Sequence, residues 1–443
     1  MSTIYLPVEV GRRELMSRAF LATRLAREGH ETFVFVSDFF DRWGWPGPGI
    51  YIGKNFFRGF PPHDMTFYDR MKVAGISVWY HDEESAIFAG EGPDEWLPWL
   101  ARRADVTVMA PDDKVLVWGE FQRAYFEQLR PPPEVHMIGS INFELYRPEY
   151  AAAFADYDAQ ETRGLKDYVL FNTRFPAPNP FWFGQGHVIN SDLYTAFTTD
   201  EERYATLANE GIMLYNFIGL IAELALKYPE LTICLRPHPQ ENPHFYRSLF
   251  KPFSNVLIAD TGDAGAWIRR SRCLVQNGCT TGLQANIAQK PVITFVPPGT
   301  ADRAGTCALP NECGTLVSTY KEAINAIMEP PEDQATGRWP MVISSLETVE
   351  KVVRLIAGEK NVSSTDEKHL RRIARRNQLD APLRALAYRL VPGKLKGSAT
   401  RERLLDRSLF ARFPNLVAIA QRQWESPVRV EAYSRDCWRV VPR

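Results

Sequence analysis

Net charge is almost absent from this 443-residue chain: 52 Lys and Arg stand against 53 Asp and Glu, leaving −1 at pH 7. So balanced a chain has no global field to draw it to a polyanion, and no nucleic-acid partner is expected. Long apolar runs are also lacking; no stretch approaches the ~18 residues that a spanning helix needs. The opening residues, Met1 to Val8, have no basic region, and their apolar run stops at Glu9, so no signal peptide is expected. Cysteine is sparse. Only Cys273/Cys279 and Cys307/Cys313 lie close together, without paired CxxC spacing. That argues against a zinc site or a disulfide framework and fits a reducing cytoplasm. There is no short repeat, no low-complexity segment, no Gly-Lys-Ser/Thr phosphate loop and no Asp-x-Asp with supporting ligands, so no metal or cofactor is expected.

What is present is an alternation of strand and helix signals. Hydrophobic residues make up 45% and charged residues 24%, an ordinary globular balance, and the length exceeds what one core usually serves. Residues 4–8 read as a strand, 14–28 as a helix stopped by Gly29, and 32–36 as a buried strand, which together form a βαβ unit. Strands at 76–80, 106–110 and 135–138 and a helix at 118–129 continue the pattern. A polar linker follows at 147–167. A second alternation then runs through strands at 168–171, 231–235, 256–259, 273–276, 292–296 and 314–318. Helices at 201–227, 264–270, 281–288 and 321–328 separate them. After about residue 340 the pattern is mainly helical. The expected organisation is α/β: a Rossmann-like domain at 1–146, a second at 147–340, and a helical, partly basic extension at 341–443.

Two loops of the second domain stand at strand ends, where open α/β sheets bind ligands. Arg236-Pro237-His238-Pro239 offers a guanidinium fork and an imidazole suited to a phosphate, with two prolines stiffening the backbone. Its plainer reading is a polar loop with a surface histidine. The second loop, Gln276-Asn277-Gly278-Cys279-Thr280-Thr281-Gly282, follows a strand and opens a helix. Its glycines permit close backbone approach, and its threonines suit an anion or a helix N-cap.

These motifs carry a resemblance. A His-Pro loop, then about forty residues on a Gly-x-Thr-Thr turn, Ala285 and Lys290-Pro291-Val292, resembles the second domain of GT-B glycosyltransferases. The nearest in pattern use CMP-activated acidic sugars: bacterial sialyltransferases and Kdo transferases. The N-terminal half is similar to bacterial surface carbohydrate (polysaccharide) biosynthesis proteins. The matching pieces are Leu6-Pro7-Val8-Glu9 with Arg13-Glu14-Leu15, Asp82-Glu83-Glu84, Trp118-Gly119-Glu120, and Asn172-Thr173-Arg174-Phe175 with Asn179. The resemblance spans roughly residues 4–300. It departs at Ser85, where the group has Gly, at Gln284, where it has an acid, and at 139–143, where it has Gly-x-x-Arg-Phe-Asp.

The resemblance implies a GT-B-like pair of domains facing a cleft. Arg236, His238 and Pro239 would hold the donor phosphate. Asn277, Gly278, Thr280 and Thr281 would hold the phosphate or a sugar carboxylate, and Gln284 a ribose hydroxyl. Asn172, Thr173, Arg174 and Asn179 would complete the donor side. His238 with Asp82, Glu83 and Glu84 would supply the chemistry, because glycosyl transfer needs a base or a carboxylate nucleophile. A solvated acidic loop is the plainer account of those three acids. Glu9, Arg12, Arg13 and Glu14 lie in the first βα turn, on the acceptor side, although Glu14 also suits a helix N-terminus. The expected activity is metal-independent transfer of an acidic sugar, Kdo-like or nonulosonic, from a CMP donor to a glycan or lipid-linked acceptor. The alternative is a nucleotide-sugar epimerase, a CDP-polyol phosphotransferase or a catalytically inactive binding subunit. Eleven Lys and Arg in 368–403, against Asp380 and Glu402, suggest helices packed on the domains. Secondarily, they suggest peripheral contact with anionic lipid at the inner face of the cytoplasmic membrane.

Overall fold

The apolar run that opens the chain forms β1 (Thr3–Val8), buried along its whole length, and the chain builds outward from it. In this computed structural model the described residues are all except 38, 55–65, 83–91, 104–105, 182–198, 301–306, 333, 360–364, 391–406 and 426. The chain divides into two compact units. One comprises Met1–Glu84, Arg102–Leu145 and Ile343–Arg443; the other comprises Ser85–Ala101 and Tyr146–Val342. Each is a Rossmann-like α/β unit around a largely or wholly parallel sheet.

In the first unit β1 pairs in parallel with β2 (Glu31–Val36) on one side and β3 (Gly49–Gly53) on the other. Beyond β3 follow β4 (Ile76–His81), β5 (Lys114–Val117) and β6 (Glu134–Met137). Strand order therefore reverses at β1, between β2 and β3. Sequence periodicity misses β3, a five-residue strand framed by glycines. Gly49 is required there, because a Cβ would come 2.5 Å from the Thr3 carbonyl oxygen. The strand expected at 106–110 is instead a turn of 3₁₀ helix, Val106–Val108, and the strand itself lies at Lys114–Val117. Buried Asp113 accounts for the shift. Its carboxylate accepts from Val78 N–H (2.6 Å) and Ala110 N–H (3.0 Å), which bends residues 110–113 and starts β5 after the turn.

The chain's last hundred residues are mainly helical, as expected, and pack within the first unit. Helices Thr348–Ala357, Glu367–Leu390, Arg407–Ala411 and Phe413–Trp424 belong to the first unit. The chain then ends in a hairpin, β13 (Val428–Ser434) and β14 (Cys437–Pro442). β14 pairs antiparallel with β2 and extends the sheet.

The second unit's sheet is wholly parallel. It contains β7 (Tyr168–Asn172), β8 (Ile233–Arg236), β9 (Val256–Ile258), β10 (Ser271–Gln276), β11 (Val292–Phe295) and β12 (Thr315–Val317), in spatial order β12-β11-β10-β7-β8-β9. The segment expected as a linker, 147–167, contains helix Ala151–Glu161, which packs in this unit. Asp158 there pairs with Arg269 (2.7 and 2.8 Å), whose guanidinium lies over the Phe154 ring. Helix Asp200–Lys227 is the main core helix, with Met213, Leu214, Phe217, Leu220, Ile221 and Leu224 buried. Contrary to the sequence expectation, its portion Arg203–Lys227 is long and apolar enough to cross a membrane by length and composition; much of that apolarity is its sheet-facing side.

Candidate functional site

Strand order in the second sheet reverses at β7: β8 and β9 lie to one side, β10 to β12 to the other. The loops leaving β7, β8 and β10 therefore meet where the chain parts, the usual ligand position in an open parallel sheet. Asn172, Thr173, Arg174, Arg236, His238, Asn277, Gly278, Thr280 and Thr281 are all carried by those three loops or the strand ends beneath them.

The residue that joins two of the loops is Glu241, fully buried. Its carboxylate accepts from Thr173 Oγ1 (3.0 and 2.9 Å), Phe175 N–H (3.0 Å), His238 N–H (3.2 Å) and the Tyr246 hydroxyl. Burial pushes its pKa up, against the lowering effect of these donors. The loop after β7 is thereby clamped to the loop after β8. Asn179 reinforces the clamp: its amide donates to Asn242 O (3.2 Å), and Asn242 N–H donates to Asn179 O (3.0 Å). Pro239 is half-buried within the turn. Gln240 N–H donates to His238 Nδ1 (3.3 Å), so a neutral His238 ring carries its proton on Nε2.

Arg236 does not present a free fork. Its guanidinium donates to the carbonyls of Ala259 (3.1 Å), Thr261 (2.8 Å) and Gly262 (2.6 Å), and so holds the loop after β9. Arg174 reaches the third loop, donating to Gly278 O (3.3 Å). Gly278 adopts φ +56°, and a Cβ there would lie 3.3 Å from the Arg174 guanidinium. Two N–H groups of this loop are already engaged, Gly278 with Asn311 Oδ1 (2.6 Å) and Cys279 with Gln276 Oε1 (3.0 Å). Asn277 donates to Phe295 O (2.8 Å). The Thr280 side chain makes no capping bond, and Thr281 Oγ1 donates to Cys279 Sγ (3.0 Å). Among the described residues the Oδ1 of buried Asn172 and the Oε1 of Gln284 have no hydrogen-bond partner.

Glu210 is a second acid that the motif reading does not reach. It accepts from Ala177 N–H (2.9 Å) just beyond the β7 loop. Burial raises its pKa to about 7, against Arg174 and the Ala177 N–H and together with Glu241. Both acids leave some sequence signal. Glu241 stands three residues after His238. Glu210 falls on the sheet-facing stripe of its helix, three, four and seven residues before Met213, Leu214 and Phe217.

In the first unit the carboxyl ends of β1 and β3 hold an ionic cluster. Glu14, 1% exposed, accepts from Glu9 N–H (2.6 Å) and Val10 N–H (3.1 Å), which ties the β1–helix turn to helix Gly11–Arg27. Lys54 Nζ lies 3.3 Å from Glu14 and 3.4 Å from Glu9, and Arg13 stands 3.9 Å from Glu14. Burial would raise the Glu14 pKa, but Lys54, Arg13, the Glu9 N–H and Arg18 outweigh it and keep the group ionised. Lys54 is absent from the sequence reading because it follows the strand that reading misses. Arg12 is half-buried on the same turn. Asp82 is buried after β4, and its carbonyl accepts from Trp118 Nε1 (2.7 Å). Beside it, burial depresses the His81 pKa to about 4, helped by Arg18 and Lys54 and opposed by its bond to the Leu116 carbonyl and by Asp82. Glu83 and Glu84, like Ser85, lie outside the described residues.

All six cysteines are buried and free of disulfides. Among the described residues no group of three or more His, Cys, Asp or Glu could hold a metal ion.

No family model matches the chain, and no curated protein does. Solved structures are similar in chain path. UDP-GlcNAc 2-epimerase from Methanocaldococcus jannaschii, in complex with UDP-GlcNAc and UDP, is 12% identical over 81% of this chain and 99% of its own, with a TM-score of 0.43. The Neisseria meningitidis UDP-GlcNAc 2-epimerase, bound to UDP-GlcNAc, is 12% identical over 81% of this chain and 100% of its own, with a TM-score of 0.46. The wall teichoic acid polymerase TagF is 8% identical over 80% of this chain and 88% of its own, with a TM-score of 0.45.

Proposed function

We propose that the chain is a nucleotide-sugar enzyme of GT-B kind whose second unit holds the nucleotide and its phosphate at the loops after β7, β8 and β10. The carrying observation is the Glu241 clamp, which fixes Thr173, Phe175 and the His238 backbone around one buried carboxylate at the point where strand order reverses. Loops held this way are pre-organised, and pre-organised donors stabilise developing phosphate charge without reorganisation. On this reading His238 donates to a phosphate oxygen through Nε2. Arg174, Thr280 and Thr281 would hold the same phosphate. Arg236, bonded to three carbonyls, positions the neighbouring loop. On this reading the first-unit acids, Asp82 with Glu83 and Glu84 and the Glu9–Arg12–Arg13–Glu14 turn, serve the sugar or acceptor, and the enzyme works in the cytoplasm at the inner membrane face.

Two finer chemistries compete for this frame. One is transfer of a CMP-linked acidic sugar to a glycan or lipid-linked acceptor. The other is UDP-sugar epimerisation or CDP-polyol phosphotransfer, the activities closest to those named for the similar structures. The departures at Ser85, Gln284 and 139–143 remove residues by which the chain would match its acidic-sugar-linked pattern, so we favour the second. Incubation with CMP-sialic acid, UDP-GlcNAc and CDP-glycerol tests the choice. Turnover of UDP-GlcNAc or CDP-glycerol is expected, abolished by His238→Ala. Turnover of CMP-sialic acid alone returns the transferase reading, and unchanged turnover in His238→Ala removes the site assignment.

A further inference from the structure

We propose that the outward face of helix Glu367–Leu390 is a docking surface for an anionic lipid bilayer. Lys368, Arg371, Arg372, Arg375 and Arg376 are all exposed, at relative positions 0, 3, 4, 7 and 8. That spacing is one face of an α-helix, so the five cations form a single row about 12 Å long. The opposite face is pinned to the first unit. Leu370, Ile373, Ala374 and Asn377 are buried, and Asn377 donates to Asp436 (2.8 Å). The acids at the start of the helix are occupied. Asp366 accepts from the N–H groups of Lys368 (2.9 Å) and His369 (3.0 Å), and Glu367 bonds Arg439 (2.7 Å) and the Tyr433 hydroxyl (3.0 Å). A merely solvated face interleaves both signs. Here like charges repel at three- and four-residue spacings along the row, an arrangement that an anionic surface relieves.

The face favours lipid over nucleic acid. One turn past the cations it continues into Leu379, an apolar side chain 75% exposed, and among its exposed residues it offers no aromatic ring to stack on a base. The sequence extends the bias with Arg384, Arg389, Lys394, Lys396, Arg401 and Arg403 against Asp380 and Glu402. This inference does not depend on the nucleotide reading.

The test is co-sedimentation of the full chain with vesicles of phosphatidylglycerol and phosphatidylcholine in equal parts, against phosphatidylcholine alone. Binding to the anionic vesicles only, released by salt, is expected. The variant R371Q/R372Q/R375Q/R376Q keeps chain length and helix propensity and should bind at least about tenfold more weakly. The charge-matched variant K166Q/K227Q/K251Q/K321Q, on the second unit, should bind as the wild type does. Circular dichroism verifies that both are folded. Absence of binding, equal binding to neutral vesicles, equal loss in the two variants, or tighter binding to a mixed-sequence DNA duplex than to vesicles at the same salt would each overturn the proposal.

Discussion

Two glutamates set the behaviour of the second unit, and they act in different ways. Glu241 lies among four donors in a fully buried position, so its value depends on accepting from all of them at once. Glu241→Gln keeps the size and leaves one oxygen for the Phe175 and His238 N–H groups, but it removes the charge and puts an amide N–H₂ where the Tyr246 hydroxyl found an acceptor. We expect a loss of about 2–3 kcal/mol by urea unfolding, with at least tenfold weaker nucleotide binding; a loss below about 0.5 kcal/mol would mean the clamp is not structural. Glu210 titrates near neutrality. Its folded pKa of about 7 lies above the ordinary 4.5, so its contribution to stability is complete below pH 4.5 and is lost as pH rises through 7. Glu210→Gln should therefore gain stability relative to the wild type across that window, on the order of 2 kcal/mol. A difference that does not change with pH would contradict the assignment.

Legibility in the sequence varied by element for physical reasons. The strand–helix alternation from Tyr168 to Met328 is readable because parallel strands buried on both faces are continuous apolar runs. β3 is only Gly49-Ile50-Tyr51-Ile52-Gly53, too short for a period to register, and the closing hairpin alternates weakly because both its strands lie near the sheet edge. The loops at the ends of β8 and β10 stand out in sequence through His-Pro and Gly-x-Thr-Thr, but their hydrogen-bond partners do not. Arg236 turns to the 259–262 carbonyls, and Glu241 comes inward, by tertiary packing alone. The hairpin makes its own prediction. Arg439 on β14 pairs with buried Glu31 on β2, with Glu367 and with Glu431. Arg439→Ala leaves Glu31 without its cation and should cost about 3 kcal/mol, read as a lower urea midpoint; an unchanged midpoint would show that the hairpin adds no stability through this pair.

At the scale of the whole molecule, the chain is two Rossmann-like units with unequal tasks. The first carries an ionic cluster at the ends of β1 and β3, the hairpin and the basic helix. The second carries three loops at a reversal of strand order, joined from below by one carboxylate. Nucleotide binding is expected to be local to the second of these. Hydrogen exchange of the full chain with and without UDP-GlcNAc, read peptide by peptide, tests this most directly. Slowed exchange is expected in 172–180, 236–242 and 277–284, with loss of that slowing in His238→Ala. Slowing confined to the first unit, or no slowing at nucleotide-sugar concentrations that saturate turnover, would contradict it.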